Sequence, residues 1–193
     1  MRKIDSKYEN PIDNILLMLC DKLIDICVKL NITPNMITLF RIILSIYIIY
    51  LLYYTDNIKL LFILIIIFHF LDCMDGHLAR STNQVTKLGD YLDHFADISL
   101  TLVIIIYMII KKYPHKIIIL TLLAFEIYML NCHAGLQQLY YKKDNPNAPD
   151  EILDLCNKIH NFNLDAINYT KYFGPGTIWL IIILIIYYIK INI

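Results

Sequence analysis

The chain has 193 residues, of which 58% are hydrophobic and 18% charged, with a mean hydropathy of +0.56. Soluble domains run nearer about 45–50% apolar and about 25% charged, so an ordinary water-soluble domain is excluded and a membrane protein is indicated. Lysine plus arginine and aspartate plus glutamate number 17 each, so the charge balance gives no sign of a nucleic acid partner, and the length suits a single domain over 1–193.

In chain order, the polar start MRKIDSKYENP is followed by no short apolar core, so no cleavable signal peptide is expected. Over 11–31, Ile12, Ile15, Leu16, Leu19, Leu23, Ile26, Cys27 and Leu30 share one helical face and Asn14, Asp21, Asp25 and Lys29 the other. This pattern predicts an amphipathic helix lying at the membrane interface, or alternatively a short helix packed on the bundle. The segment 33-TPN-35 breaks it, with Asn35 the expected N-cap of the next helix. A bilayer core of about 30 Å needs about 20 apolar residues. Four stretches qualify, at 36–54, 59–79, 88–110 and 116–138, and a shorter fifth lies at 177–189 after the turn signal 174-GPG-176. Residues 141–172 are polar and read as a loop or surface helix. Cys20, Cys27, Cys73, Cys132 and Cys156 have no metal-binding spacing. Positive charge falls on both sides, so counting it chooses no orientation.

The informative stretch is 72-DCMDGHLARSTNQVTKLGDYLDHFAD-97, between two apolar runs. An aspartate at mid-bilayer costs about 2.5–3.5 kcal/mol, so several together need compensation. At about 1.5 Å per residue, Asp72 lies about 20 Å along its helix from Lys59, and Asp93 and Asp97 lie about 9 and 15 Å from Lys87. The tight reversal 81–87 therefore brings both pairs to one depth near one face. Asp72, Asp75, Gly76 and Ala79 share one helix face; Gly89, Asp93 and Asp97 share another. Asp90 falls off that stripe and reads as a solvated interface residue.

Four converging carboxylates cannot stay ionised alone, and two oxygen-bound Mg²⁺ or Mn²⁺ ions would resolve the repulsion and suit phosphoryl chemistry. Structural pairing with Arg41, Arg80, Lys87 or His94 is the alternative, set aside because nearby cations are few. The glycines and Ala79 leave room for a bulky ligand, and Arg80 supplies a cation for phosphate.

The stretch matches D-x2-D-G-x2-A-R-x8-G-x3-D-x3-D at Asp72, Asp75, Gly76, Ala79, Arg80, Gly89, Asp93 and Asp97, and 33-TPNMITLFR-41 precedes it. In these residues the chain resembles the class-I CDP-alcohol phosphatidyltransferase family. The resemblance implies a bundle of six membrane helices, usually dimeric, with an interfacial helix first and the site facing the cytosol. It implies that Asp72, Asp75, Asp93 and Asp97 hold the metals and that Asp97 is also the general base. The acceptor, a small alcohol, would attack a CDP-linked lipid and release CMP. Gly76, Ala79, Arg80 and Gly89 would meet the nucleotide, with Asn35 and Thr38. Five recognisable spans, not six, put the acceptor pocket and dimer interface in question.

The acceptor stays open. The stretches 75-DGHLAR-80 and 83-NQVT-86 resemble phosphatidylinositol synthases, although Ile98 stands where those carry an arginine. Asp93-His94 is similar to choline and ethanolamine phosphotransferases acting on diacylglycerol, and the size suits a phosphatidylglycerophosphate synthase. His69, His77 and His94 read either as ligand contacts or as packing histidines. Glu126, with Asn131 and His133 at membrane depth, either meets the acceptor or pairs with Arg41, and Arg41 and His94 are also candidate acceptor or phosphate contacts. The competing classes are a prenyl-transferring enzyme, a divalent-cation transporter and a catalytically silent relative.

Overall fold

A computed structural model of the protein describes residues 2–146 and 163–193. All regular structure among these residues is helical: α1 Pro11–Lys29, α2 Pro34–Tyr54, α3 Ile58–Ser81, α4 Lys87–Ile110 and α5 Lys116–Asp144. After residue 162 come a 3₁₀ turn Leu164–Ala166, the short α6 Ile167–Thr170, a second 3₁₀ turn Lys171–Phe173, and α7 Pro175–Ile191. Cys156 and the part of the polar 141–172 stretch at 147–162 lie outside the described residues.

The starts of α1 to α4, and the ends of α1 and α3, rest on chemistry legible in the chain. Asn10 caps α1 by accepting from the Ile12 N–H at 3.0 Å, with Pro11 in the first turn. The helix ends with Asn31 in the left-handed region at φ 53°, and the Ile32 and Asn31 N–H groups reach back to Cys27 and Val28 carbonyls at 2.9 and 3.1 Å. Thr33, and not Asn35, is the N-cap of α2: its hydroxyl accepts from Met36 N–H at 3.3 Å, and Pro34 takes the first helical position. That shift leaves the Asn35 side chain available elsewhere. Helix α3 closes as α1 does, with Asn83 at φ 55° and Gln84 N–H to Ala79 O at 2.8 Å. Thr86 then caps α4 through Gly89 N–H at 3.1 Å. The reversal between the two acidic helices is thus held at one end by a backbone hydrogen bond and at the other by the Thr86 side-chain cap.

Four helical stretches are long and apolar enough to cross a membrane by themselves: Pro34–Tyr54, Lys87–Ile110, Lys116–Asp144 and Leu164–Ile191. The expected span at 59–79 is a helix of 24 residues. Lys59, Asp72, Asp75 and Arg80 stand along its otherwise apolar run. The expected last span is longer than 177–189, since the turns and α6 lead straight into α7.

The main core joins Leu44, Ile48 and Leu52 of α2 to Leu61, Ile65 and Phe68 of α3, Leu100 and Ile104 of α4, and Ile178, Ile182 and Ile186 of α7. Large apolar side chains on the other faces are exposed, including Ile43 and Ile46, Leu102 and Ile109, Leu122 and Phe125, and Leu180 and Leu184. A helix apolar on all sides suits lipid contact. A smaller cluster of Cys20, Ile37, Met74 and Leu78 seats α1 at the acidic end of α3. Gly176 and Gly174 allow α7 to meet α1: a Cβ on Gly176 would lie 2.6 Å from Asp13 Oδ1, and one on Gly174 2.7 Å from Asn10 Cβ.

Candidate active site

Three helices converge on one guanidinium. Arg41 of α2 is fully buried, with Nη2 2.9 Å from Asp72 Oδ1 and Nη1 3.0 Å from Asp75 Oδ2. It also pairs with Asp93 and Asp97 of α4. Its underside rests on Phe68, with Cζ 4.7 Å from the ring centroid. The sequence reading set ion pairing aside for want of cations. The structure corrects this, because the forked guanidinium reaches all four acids at once. One positive charge still cannot balance four carboxylates.

Thr38, one turn before Arg41, sits 2.9 Å from Asp75 Oδ2 through its hydroxyl and so orients that carboxylate. The two predicted acidic stripes do face each other. Oxygens of Asp72, Asp75 and Asp93 lie within 4.8 Å of one another, a hard-oxygen donor set of the kind that divalent cations favour. Asp97 adds a fourth carboxylate through Arg41.

Above the acids lies a cavity of about 560 Å³. Its polar end is lined by Asn35, Thr38, Gly76, Ala79, Arg80 and Gly89, together with Asp72, Asp75, Asp93 and Asp97. Its other flank is apolar: Ile98, Leu102 and Ile105 of α4 and Ile127 and Leu130 of α5. Clearance at the glycines is tight. A Cβ on Gly89 would lie 3.1 Å from Asn35 Oδ1, and one on Gly76 3.2 Å from Arg80 Nη1.

Several expectations change. Asp90 is not solvated: its side chain is 13% exposed, and His94 Nδ1 lies 3.3 Å from its carboxylate and 2.8 Å from its carbonyl oxygen. His94 lines the cavity, but His69 and His77 turn to α1, where they meet Asp13 and Asp21, each at 2.7 Å. They tie α3 to the first helix. Glu126 is buried and is not among the residues that line the cavity, and among the described residues the ion-pair partners of Arg41 are the four aspartates and not Glu126. Asn131 does line the cavity, while His133 turns to Thr170 at 3.2 Å. Sequence reasoning missed Lys3 and Gln137, which also line it. No motif signals either of them, because they join the site only through tertiary packing. Asp13, His69 and Cys73 form a second close group, already occupied with hydrogen bonds from His69 and the Gly176 N–H.

A helical membrane protein with a cavity floored by acids and flanked by apolar side chains is the class that this geometry defines. The family model described as CDP-alcohol phosphatidyltransferase matches residues 31–190, and the chain belongs to that family. It is 33% identical over 97 residues to the archaetidylinositol phosphate synthase of Pyrococcus horikoshii, covering 50% of this chain and 47% of that protein. It is 35% identical over 83 residues to an uncharacterized protein of Aquifex aeolicus, covering 41% of this chain and 40% of that one. The chain thus spans less than half the length of these relatives. No solved structure matches it.

Proposed function

We propose that the protein transfers a phosphatidyl-type group from a CDP-linked lipid to the hydroxyl of a small alcohol, releasing CMP, in phospholipid synthesis. The observation that carries this reading is the convergence of Asp72, Asp75, Asp93 and Asp97 at the floor of a cavity whose other flank is apolar. Such a cavity suits a ligand with a charged diphosphate and a greasy tail. The tail lies along Ile98, Leu102, Ile127 and Leu130, and the nucleotide lies against Gly76, Ala79, Gly89, Asn35 and Thr38.

Two Mg²⁺ or Mn²⁺ ions held by the four aspartates fit the donor set and, when bound, neutralise charge on the diphosphate. Asp97 takes the acceptor's hydroxyl proton. The acceptor oxygen forms a bond to the lipid-side phosphorus, and the bond to CMP breaks. Arg41 keeps the carboxylates in register, Thr38 fixes Asp75, and Arg80 meets phosphate oxygens. Orientation and fixed charge do most of this catalysis. The reading includes a cytosolic site, at the end of the bundle holding the reversal 82–86, and a homodimer as the working unit.

The name of the archaeal relative makes inositol and inositol phosphate the first acceptors to test. The test is CMP release by the purified protein in detergent with Mg²⁺ or Mn²⁺. CDP-diacylglycerol is offered with inositol, inositol phosphate, glycerol 3-phosphate or serine, and CDP-choline with diacylglycerol runs in parallel. Metal-dependent release with one acceptor is expected. Release only from CDP-choline would reassign the chain to the choline and ethanolamine phosphotransferase type. Absence of release in every pair, from a folded protein that binds CDP-lipid, would favour a silent relative; cation flux without CDP-lipid binding would favour a transporter.

A further inference from the structure

We propose that His69 of α3 is a nitrogen ligand to one of the divalent cations, shared with Asp72, and that it tunes the site toward first-row transition ions such as Mn²⁺ and Co²⁺ over Mg²⁺. This rests on the metal site of the reading above and not on the transfer step.

His69 precedes Asp72 by about one helical turn, so the two side chains leave α3 on the same face. The histidine is 3% exposed. Its Nε2 lies 2.7 Å from Asp13 Oδ1 of α1. Asp13 is held in turn by the Gly176 N–H, which donates to its Oδ2 at 3.2 Å from the first turn of α7. Trp179 of α7 packs beside the imidazole, with ring centroids 6.4 Å apart. The ring is therefore fixed from α1 and α7 as well as from its own helix.

The other nitrogen is the informative one. Nδ1 is buried and, among the described residues, has no hydrogen-bond partner, an uncommon state for a polar atom inside a fold. It faces Asp72 Oδ2 at 3.8 Å, while Asp72 meets Arg41 through its other oxygen at 2.9 Å. A carboxylate opposite Nε2 keeps the proton of the neutral ring there, which leaves a lone pair at Nδ1. Lone pair and carboxylate oxygen then face each other with no proton between them, an arrangement that a cation resolves. Two ligands about 2.1 Å from one ion lie roughly 3–3.5 Å apart, so a small side-chain adjustment closes the gap. Carboxylate, histidine and metal in series is a recurrent way of fixing the tautomer and orientation of a metal-binding imidazole. Asp13 is that carboxylate. Its own two oxygens are engaged by His69 and Gly176, which leaves the ion on the Asp72 side of the ring. Asp72 lines the cavity and His69 does not, so an ion entering over the acids meets the nitrogen behind them. Mg²⁺ prefers oxygen donors and transition ions accept imidazole more readily. One nitrogen among carboxylates therefore changes selectivity as well as affinity.

The first test is electron spin-echo spectroscopy of Mn²⁺ bound to the full chain in detergent, which reads the magnetic coupling of a ligated imidazole nitrogen. The parent is expected to show it. His94→Gln, which removes the histidine that lines the cavity, is expected to keep it. His69→Gln is expected to lose it, because the glutamine amide keeps the reach to Asp13, and with it the tie between α1 and α3, but offers no imidazole nitrogen. Calorimetry should show the Mn²⁺ and Co²⁺ Kd raised at least about tenfold in His69→Gln, with the Mg²⁺ Kd within about twofold of the parent. A melting curve checks that each variant folds; if His69→Gln does not, the parent and His94→Gln decide alone. A coupling absent from the parent, lost in His94→Gln or retained in folded His69→Gln would overturn the ligand assignment, and CMP release in the same preparations would leave the transferase reading standing. An equal loss of Mg²⁺ affinity in His69→Gln would mark a structural role and overturn the selectivity. Coupling traced to His69 without any CMP release upholds the ligand and removes only the transferase reading.

Discussion

Arg41 occupies a position that no uncharged side chain could fill. It is fully buried, and it holds together carboxylates from two helices that would otherwise repel each other. Removing one partner of a buried ion pair costs about 3–5 kcal/mol, equivalent to roughly 10 °C of melting temperature at this size. Arg41→Ala should show that loss by thermal unfolding in detergent with a chelator, and Mg²⁺ should restore part of it. Arg41→Lys should fall between, because a point charge cannot fork to four acids. The aspartates divide by a different measurement. Asp97→Asn is expected to lower turnover by about 10²–10⁴-fold, the usual worth of a positioned base, and to keep CDP-lipid binding. Asp75→Asn should lose both, since Asp75 is also the partner of Thr38 and Arg41. Equal loss of binding in the two variants would sink the base assignment.

At the scale of the element, the glycines of α3, α4 and α7 serve different ends. Gly176 is where α7 meets α1, and an added Cβ would lie 2.6 Å from Asp13 Oδ1 and 2.7 Å from Ile12 Cβ. Overpacking of this kind costs about 1–3 kcal/mol, so Gly176→Ala should lower the melting temperature while leaving nucleotide affinity near that of the parent. Gly89→Ala should do the reverse. Its Cβ would crowd the Asn35 and Thr86 side-chain oxygens at 3.1 Å and intrude on the cavity, raising the Kd for CDP-lipid with little change in melting. Melting curves and CDP-lipid titrations on both variants separate the two roles. The helix ends were largely readable beforehand, because capping depends on a few adjacent residues. Asn35 was misread for that same local reason: Thr33 and Pro34 together make the better start, with a hydroxyl cap and a first-turn proline.

At the scale of the whole molecule, the N-terminal segment 2–9 ties α1, α5 and α6 together, through Arg2 to Asn14, Ile4 to Leu136 and Ile167, and Gln137 to Glu9, which is buried there. Burial, with Asp13 adding repulsion, pushes the Glu9 carboxyl from its ordinary 4.5 up to about 7, against the opposing pull of Arg80, Gln137 and Arg2. The folded protein therefore holds this proton over a range in which the unfolded chain has released it. The associated stability is full below about 4.5 and is lost as pH rises through about 7, by at most roughly 3 kcal/mol. Melting temperature measured from pH 4.5 to 8 should fall across that window for the parent chain, and Glu9→Gln should flatten the fall. A slope unchanged by Glu9→Gln would assign the pH dependence elsewhere.

The sequence by itself determined the membrane character, the number of long helices to within one, and the two acidic faces. These follow from composition and from the 3.6-residue period, which places Asp72 with Asp75 and Asp93 with Asp97 whatever the rest of the chain does. Only the tertiary structure decided which cation sits among the acids, which histidines turn to α1, that the aspartates and not Glu126 pair with Arg41, and that Lys3 reaches the cavity. Each depends on how helices distant in sequence cross, and a spacing rule ends where a single helix ends.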